Sequence, residues 1–146
     1  MRDFRIAIEI DAPPDRVWAV IRDGPRWPQW TPTVTSIKPL DAGPLAVGQR
    51  FVIRQPKLPP AKWQLTELDD PARRFTWVTR GPGMVLYARH SVEDLGGRSR
   101  AHLALEFAGL LGPLFARLTA KLNGRYLALE ANGLKQFCER ARAEGQ

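Results

Sequence analysis

Apolar and polar residues alternate at the start of the chain. Phe4, Ile6, Ile8 and Ile10 occupy every second position, and this period of two is typical of a β-strand with one buried face. The pattern therefore predicts a first strand over residues 2–11, whose apolar face packs on a core.

Two short helical elements are predicted after this strand. The run Pro13-Pro14-Asp15 suits a first helical turn, where proline is tolerated and an acidic side chain interacts favourably with the helix dipole. We expect this helix to end near residue 24. Residues 25–32 contain Trp27 and Trp30 between prolines. Because proline disrupts a helix interior, they predict only a turn or a second short helix.

Alternation with a period of two dominates from residue 33 to residue 107, interrupted by clusters of Gly, Pro and Asp. Such clusters are typical of turns, so they divide the segment into six predicted strands. The strands are expected at 33–39, 48–55, 61–69, 73–80, 84–93 and 98–108. The connections are short, which favours antiparallel neighbours over parallel crossovers.

The period changes to three or four residues near the end of the chain. The positions that recur are Phe115, Leu118, Leu122, Tyr126, Leu129, Gly133 and Phe137. Their spacing predicts one amphipathic helix over 113–142, about 45 Å long at about 1.5 Å per residue. We see no linker or internal repeat, so we expect a single α+β domain over residues 1–146.

Charge adds a second constraint. Lys and Arg number 22 against 15 Asp and Glu, which gives a net charge of +7. The basic residues are scattered from Arg2 to Arg142 and accompany no nucleic-acid-binding motif, so they predict a solvated surface and no nucleic-acid site. An acidic partner, or transient contact with a membrane, stays open as a third interpretation of this charge.

The single cysteine and the N-terminal pattern bear on location. Cys138 has no partner for an internal disulfide, so nothing favours an oxidising compartment. The first residues lack the continuous apolar stretch of a secretion signal, and no eighteen apolar residues run together as a transmembrane helix requires. We therefore expect a cytoplasmic protein without a transmembrane segment, and both a monomer and a homodimer stay open.

Four short segments, together with the order of the predicted elements, resemble the START-like or polyketide cyclase/dehydrase superfamily (SRPBCC). The first segment, 10–18, has Ala-Pro-Pro before Val-Trp, and the second, 23–32, contains Trp27, Trp30 and Pro32. The third, 65–75, contains an Asp-Pro turn between two strands, and the fourth, 106–114, leads into the last helix. The resemblance implies a helix-grip fold, in which a seven-stranded curved antiparallel sheet wraps around a long C-terminal helix, with two short helices between strands 1 and 2. It also implies a cavity for lipids, polyketides, quinones or other apolar molecules, used by carriers and by enzymes.

Most candidate ligand-binding residues follow from strand alternation and from the helix period, which place one set of side chains toward the space between sheet and helix. Trp30, at the end of the short helical element, is expected near the rim of the pocket. For the aromatic members of this set, ordinary core packing stays open as the alternative role. The candidates are Trp30, Phe51, Ile53, Trp63, Trp77, Leu86, His90, Phe115, Leu118, Leu122 and Tyr126.

His90 is the ionisable residue that strand alternation places among apolar neighbours such as Leu86. Desolvation there would favour the neutral imidazole, and a purely structural histidine stays open as the alternative. His90 and Tyr126 are the candidates for proton transfer. Tyr87 and Arg89 would join them if a bulge reversed the register of that strand.

A metal site is not predicted. His90 and His102 fall on opposite faces of the predicted sheet, and Cys138 is distant in the sequence, so the residues do not form a ligand set. We expect no metal and no cofactor.

The predicted interior is rich in apolar groups and poor in catalytic ones, which favours binding or transport of a small hydrophobic molecule, such as a lipid, a polyketide or a quinone-like compound. The alternative is a cofactor-independent enzyme of the polyketide cyclase, aromatase or dehydratase type, which would use the same cavity to orient its substrate. The sequence leaves open whether the protein is an enzyme.

Overall fold

The computed structural model describes the backbone of residues 2–144 and the side chains of residues 3–140. The strands are β1 (Arg2–Ile10), β2 (Ser36–Pro39), β3 (Arg50–Arg54), β4 (Ala61–Asp69), β5 (Arg74–Gly81), β6 (Met84–Asp94) and β7 (Ser99–Ala108). The helices are α1 (Pro14–Arg22), a 3₁₀ helix (Gly24–Gln29), α2 (Gly112–Leu118) and α3 (Ala120–Glu144).

The strands form one antiparallel sheet in the order β1-β7-β6-β5-β4-β3-β2. Consecutive strands from β2 to β7 are neighbours, and β1 pairs with β7 at the other edge. The two short helices lie between β1 and β2 in the chain, and the long helix follows the sheet. The predicted α+β helix-grip arrangement is therefore confirmed.

The register of β6 decides which side chains face the helix. Over its described length β6 pairs with β5 and β7 without a register shift, and the one irregularity nearby lies in β4, between Leu65 and Glu67. The bulge that would have turned Tyr87 and Arg89 inward is therefore not present in β6. Arg89 instead forms an ion pair with Glu106 at 3.2 Å.

Helix α3 packs on the inner face of the sheet, closest to β1 and β7. Leu127, Ala131, Leu134 and Cys138 are its buried apolar residues, each at most 5% exposed. At Gly133, α3 passes so close to the segment that follows the 3₁₀ helix that a Cβ atom would overlap the carbonyl oxygen of Trp30. No helix within residues 2–144 is long and apolar enough to cross a lipid bilayer.

The prediction of one continuous helix over 113–142 is wrong, because the helix is interrupted at Thr119. The Thr119 hydroxyl donates to the carbonyl oxygen of Phe115 at 2.7 Å and accepts the Asn123 side-chain amide at 2.9 Å. Threonine that bonds back to the preceding turn tends to bend a helix. The four-residue spacing of backbone hydrogen bonds nevertheless continues, from Thr119 to Phe115 and from Asn123 to Thr119.

The second strand begins later than the predicted residue 33. Thr31 and Thr33 are both buried and share a hydroxyl to hydroxyl hydrogen bond of 2.8 Å, and the Thr33 amide donates to the Thr31 hydroxyl. Local hydrogen bonds of this kind compete with strand pairing, which explains why β2 starts only at Ser36.

Candidate functional site

A cavity of about 100 Å³ lies between the inner face of the sheet and α3. Drug-sized ligands usually occupy sites of roughly 300–1,000 Å³, whereas an apolar cavity of roughly 150 Å³ is enough for a benzene molecule. In this conformation the cavity is therefore somewhat smaller than one that holds a benzene molecule, and far smaller than a site for a drug-sized ligand.

The sheet side of the cavity is built from aromatic rings. Trp77 lies at its centre, with ring centroids 5.1 Å from Phe75, 5.3 Å from Trp27, 5.9 Å from Phe51 and 6.2 Å from Trp63. The angles between these ring planes run from 50° to 74°, so none of them is a parallel stack. Tilted and edge-on pairs are the favourable arrangement for aromatic rings, and they make this wall stiff.

His90 belongs to this aromatic wall. Its ring stacks on Phe75 with centroids 4.3 Å apart and meets Trp27 and Trp77 edge-on. Burial lowers the pKa of His90 to about 3, and the nearby Phe75 backbone opposes this shift only in part. The imidazole is therefore neutral at physiological pH, as its apolar neighbours in the sequence predict.

Two residues that line the cavity each carry a buried polar atom without a partner. The Nδ1 atom of His90 and the Nε1–H group of Trp63 are buried, and neither forms a hydrogen bond with any described residue. Buried polar groups in folded proteins are nearly always paired, and an unpaired one costs roughly 1–3 kcal/mol. Each atom would therefore gain from a hydrogen bond with a polar group that reached it from the cavity.

The helix side contributes a carboxyl group, Glu130, which the sequence analysis did not identify. Burial raises the pKa of Glu130 to about 7, although the Thr33 hydroxyl donates a hydrogen bond of 3.1 Å that favours the charged form. Glu130 follows Tyr126 by four residues, and this one-turn spacing places both side chains on one face of the helix. This four-residue spacing from Tyr126 was the one feature of the sequence that could have identified Glu130 as a cavity residue.

The rim of the cavity joins α3 to the loop between β3 and β4. The Tyr126 hydroxyl donates to the Pro56 carbonyl oxygen, and the Gln55 amide donates to the Thr33 carbonyl oxygen at 3.2 Å. Leu58 from the same loop also lines the cavity. Because the Tyr126 hydroxyl proton is used in this hydrogen bond, Tyr126 holds the loop against α3 and is a weaker candidate for proton transfer.

Seven of the predicted ligand-binding residues line the cavity. Whether they bind a ligand stays a prediction. They are Ile53, Trp63, Trp77, Leu86, His90, Leu122 and Tyr126.

The other four predicted residues lie elsewhere. Phe51 packs behind the wall against Trp77, and Trp30, which contacts Trp27 at 4.9 Å, lies at the surface grooves beside Phe137. Phe115 is half-buried and is not among the residues that line the cavity.

Leu118 is the clear correction, because it is 72% exposed although we expected it to close the cavity. The buried residues of α2 are Gly112 and Ala116. At 3.6 residues per turn, Leu118 lies roughly opposite Ala116 on the helix and faces away from the sheet.

Outside the cavity the residues offer little chemistry. His102 lies on the outer face, as predicted, with its Nε2 atom 2.9 Å from Glu93. Burial raises the pKa of the Cys138 thiol to about 12, so it is not a reactive thiolate. Within the side chains of residues 3–140, no three His, Cys, Asp or Glu residues come together as a metal site would require.

A protein-family model described as "Polyketide cyclase / dehydrase and lipid transport" matches residues 1–139 of the chain. No curated protein sequence is significantly similar to it.

Many solved structures share the fold. A protein from Thermobifida fusca, solved by NMR, is 23% identical with a TM-score of 0.81, and the match covers 96% of this chain and 95% of that one. The Zhui aromatase/cyclase from Streptomyces sp. R1128 is 19% identical with a TM-score of 0.77, covering 96% and 94%. The di-domain ARO/CYC BexL from the BE-7585A biosynthetic pathway is 20% identical with a TM-score of 0.73; the match covers 93% of this chain and 46% of BexL, so the chain spans about half of that protein.

Proposed function

The chain belongs to the family of polyketide cyclases, dehydrases and lipid transport proteins, and from that premise we propose that it binds a small, mostly apolar molecule between the sheet and α3. The sheet wall offers aromatic surface, and the helix adds aliphatic and polar groups. Ligand sites commonly combine a largely apolar lining with a few convergent polar groups. A lipid, a polyketide or a quinone-like compound are the predicted ligand classes.

The observation that carries this proposal is the pair of unpartnered polar atoms, Trp63 Nε1–H and His90 Nδ1, beside the same cavity. A ligand with a carbonyl or hydroxyl oxygen would accept a hydrogen bond from the Trp63 Nε1–H group and so remove the cost of leaving that group unpaired. This favours an apolar molecule that carries at least one oxygen over a pure hydrocarbon.

The volume of about 100 Å³ admits at most a single ring, or one end of a longer molecule. A larger ligand requires the loop that contains Leu58 to move away from α3, which breaks the bond between the Tyr126 hydroxyl and Pro56. A cytoplasmic location and the choice between monomer and homodimer stay predictions from the sequence.

The test is native mass spectrometry of the freshly purified protein, followed by organic extraction and by titration with an environment-sensitive apolar dye. We expect one bound molecule per chain and quenching of tryptophan fluorescence, since Trp63 and Trp77 line the cavity. Leu122→Glu places a charge in the cavity and should abolish binding.

Leu118→Glu is the matched control, because Leu118 lies one turn before Leu122, at the end of α2, and is 72% exposed. It should bind the dye like the wild type. Unchanged binding by a folded Leu122→Glu variant would place the ligand site elsewhere and contradict the proposal.

One observation favours a second function, catalysis of proton transfer. With a pKa of about 7, Glu130 is present in both protonated and ionised forms at neutral pH, as an efficient general acid or base requires. His90 lines the same cavity in its neutral form and can donate a hydrogen bond to a developing oxyanion. In this reading Glu130 moves a proton at the substrate while the aromatic wall orients it, as a cofactor-independent cyclase or dehydratase would do.

Glu130→Gln distinguishes the two functions once a ligand is known. A binding protein should keep its affinity within about tenfold, whereas an enzyme should lose roughly 10²–10⁴ in rate with little change in affinity. A rate that does not depend on pH around 7 in the wild type would exclude Glu130 as the catalytic group.

A further inference from the structure

The net positive charge of the protein arises in two stretches of the chain that contain no acidic residue. Residues 42–66 and 107–129 contain seven of the 22 Lys and Arg residues and none of the 15 Asp and Glu residues. The remainder of the chain carries 15 basic and 15 acidic residues and is therefore neutral. The basic residues are scattered along the whole chain, as predicted, and the net charge arises where acidic residues are missing. Arg50 pairs with Asp41, but the other six form no ion pair with any described side chain.

The fold brings parts of these two stretches together at the cavity rim. The Tyr126 hydroxyl bonds the Pro56 carbonyl oxygen, and Leu58 lines the same cavity as Leu122. Lys57 in the loop and Lys121 in α3 therefore belong to one end of the molecule. The sequence separation of these segments hides this arrangement until the chain is folded.

Exposed leucines accompany the cations at this end. Leu110 is 93% exposed, Leu118 72%, Leu114 51% and Leu111 39%. We refer to these residues as the leucine ridge. They account for four of the seven large apolar side chains exposed among the described residues, within nine positions of the chain. Apolar side chains clustered at this level on a surface usually mark an interaction site.

Exposed basic side chains of α2 and α3 lie on the same side of the helices as the leucine ridge. Leu114, Leu118, Lys121 and Arg125 are all exposed and follow each other at intervals of three or four residues, which places them on one side of the helical path. Arg117 is exposed beside them. Short amphipathic elements with leucine tips and flanking Lys and Arg bind the interface of anionic membranes.

We propose that the leucine ridge, with Arg117, Lys121 and Arg125, docks the protein on the surface of an anionic lipid membrane, beside the rim of the cavity. Its two most exposed leucines, Leu110 and Leu118, are 93% and 72% exposed, and a fluid bilayer accepts such side chains without a complementary shape. The cations face the negatively charged headgroups. This surface is independent of what the cavity binds.

The experiment measures cosedimentation of the full chain with vesicles of phosphatidylcholine alone and of phosphatidylcholine with a third of phosphatidylglycerol. Binding to the anionic vesicles should be at least about tenfold stronger, and it should weaken as salt rises from about 0.1 M to about 0.5 M. The double variant Leu114→Gln/Leu118→Gln should lose about tenfold or more of this binding. Arg117→Gln/Lys121→Gln should lose a similar factor on anionic vesicles only.

Matched controls distinguish binding by the leucine ridge from nonspecific binding through other exposed apolar side chains or through net charge. Leu40→Gln/Val47→Gln removes two side chains that are 46% and 61% exposed, in the β2–β3 connection at the opposite end of β3 from the rim loop. Arg26→Gln/Arg98→Gln lowers the net charge equally at other surfaces. Both controls should bind vesicles like the wild type, and circular dichroism should show that every variant is folded.

Absence of binding to anionic vesicles, or an equal loss in the controls, would overturn the proposal. Immobilised poly-L-glutamate serves as the probe for an acidic protein partner. Retention there that depends on the ridge, without vesicle binding, would assign the surface to such a partner and overturn the membrane assignment.

Discussion

The two walls of the cavity respond to the same physical effect in opposite directions. On the sheet wall, burial lowers the pKa of His90 to about 3, and on the helix wall, burial raises the pKa of Glu130 to about 7. Both shifts favour the neutral form, because a charge loses its hydration in a low-dielectric interior. The cavity therefore disfavours charge of either sign, and only the carboxyl group titrates near neutral pH.

The walls also differ in how they are held. The sheet wall is a set of interlocking rings around Trp77, whereas the helix wall depends on individual hydrogen bonds, from Thr33 to Glu130 and from Tyr126 to Pro56. Dense aromatic packing resists change, and single hydrogen bonds at a rim open more easily. We infer that the helix and loop side, not the sheet, adapts to a ligand.

Trp77→Ala should break the sheet wall and have the largest effect on stability. Trp77 is 4% exposed at the centre of the ring cluster, so its removal should cost about 3–5 kcal/mol of unfolding free energy, measured by urea denaturation. A loss below about 1 kcal/mol would show that the aromatic wall is not the stable side of the cavity.

Glu130→Gln should change how stability depends on pH. Because folding raises the pKa of Glu130 from 4.5 to about 7, the folded state holds the proton more tightly. Stability from this group is fully present below about pH 4.5 and is lost as the pH rises to about 7. The variant should therefore be more stable than the wild type at pH 8, by on the order of 2–3 kcal/mol, and close to it at pH 4.

Urea denaturation of both proteins between pH 4 and pH 8 measures this difference. Glu106→Gln is a suitable control, because Glu106 lies on the outer face with Arg89. A difference between Glu130→Gln and the wild type that stays constant with pH would contradict the assignment.

His90→Phe tests how much one hydrogen bond from the sheet wall contributes to ligand binding. Phenylalanine keeps the ring that stacks on Phe75 but removes Nδ1. If the protein is a binding protein, affinity for an oxygen-bearing ligand should fall by no more than about 0.5–1.5 kcal/mol, measured by calorimetry with the fold intact. A complete loss of binding would show that His90 does more than bond the ligand.

Leu118→Gln should have the smallest effect on stability, within about 0.5 kcal/mol, because Leu118 is 72% exposed. Thermal unfolding is a sufficient measurement. A larger destabilisation would show that Leu118 packs against the domain, as the helix period alone suggested.

The sequence determined the sheet. Strands near 61–69 and 84–93 were predicted within a residue of β4 and β6, because side chains alternate between buried and exposed faces at a fixed period of two. The same alternation placed His90 inward and His102 outward. The order of strands and helices followed from the same patterns, and it carried the family resemblance that a match over residues 1–139 now supports.

Only the tertiary structure decided the features that depend on distant parts of the chain. The helix period places Glu130 on the face of Tyr126, but its pKa of about 7 arises because the folded chain buries it, against the opposing effect of the hydrogen bond from Thr33. Leu118 fits the same period and is exposed, since α2 buries Gly112 and Ala116 instead. The charged rim forms because the fold joins the loop around Lys57 to α3. Periodicity assigns a face to each side chain, and the packing of the whole chain decides whether that face is closed, filled or open to solvent.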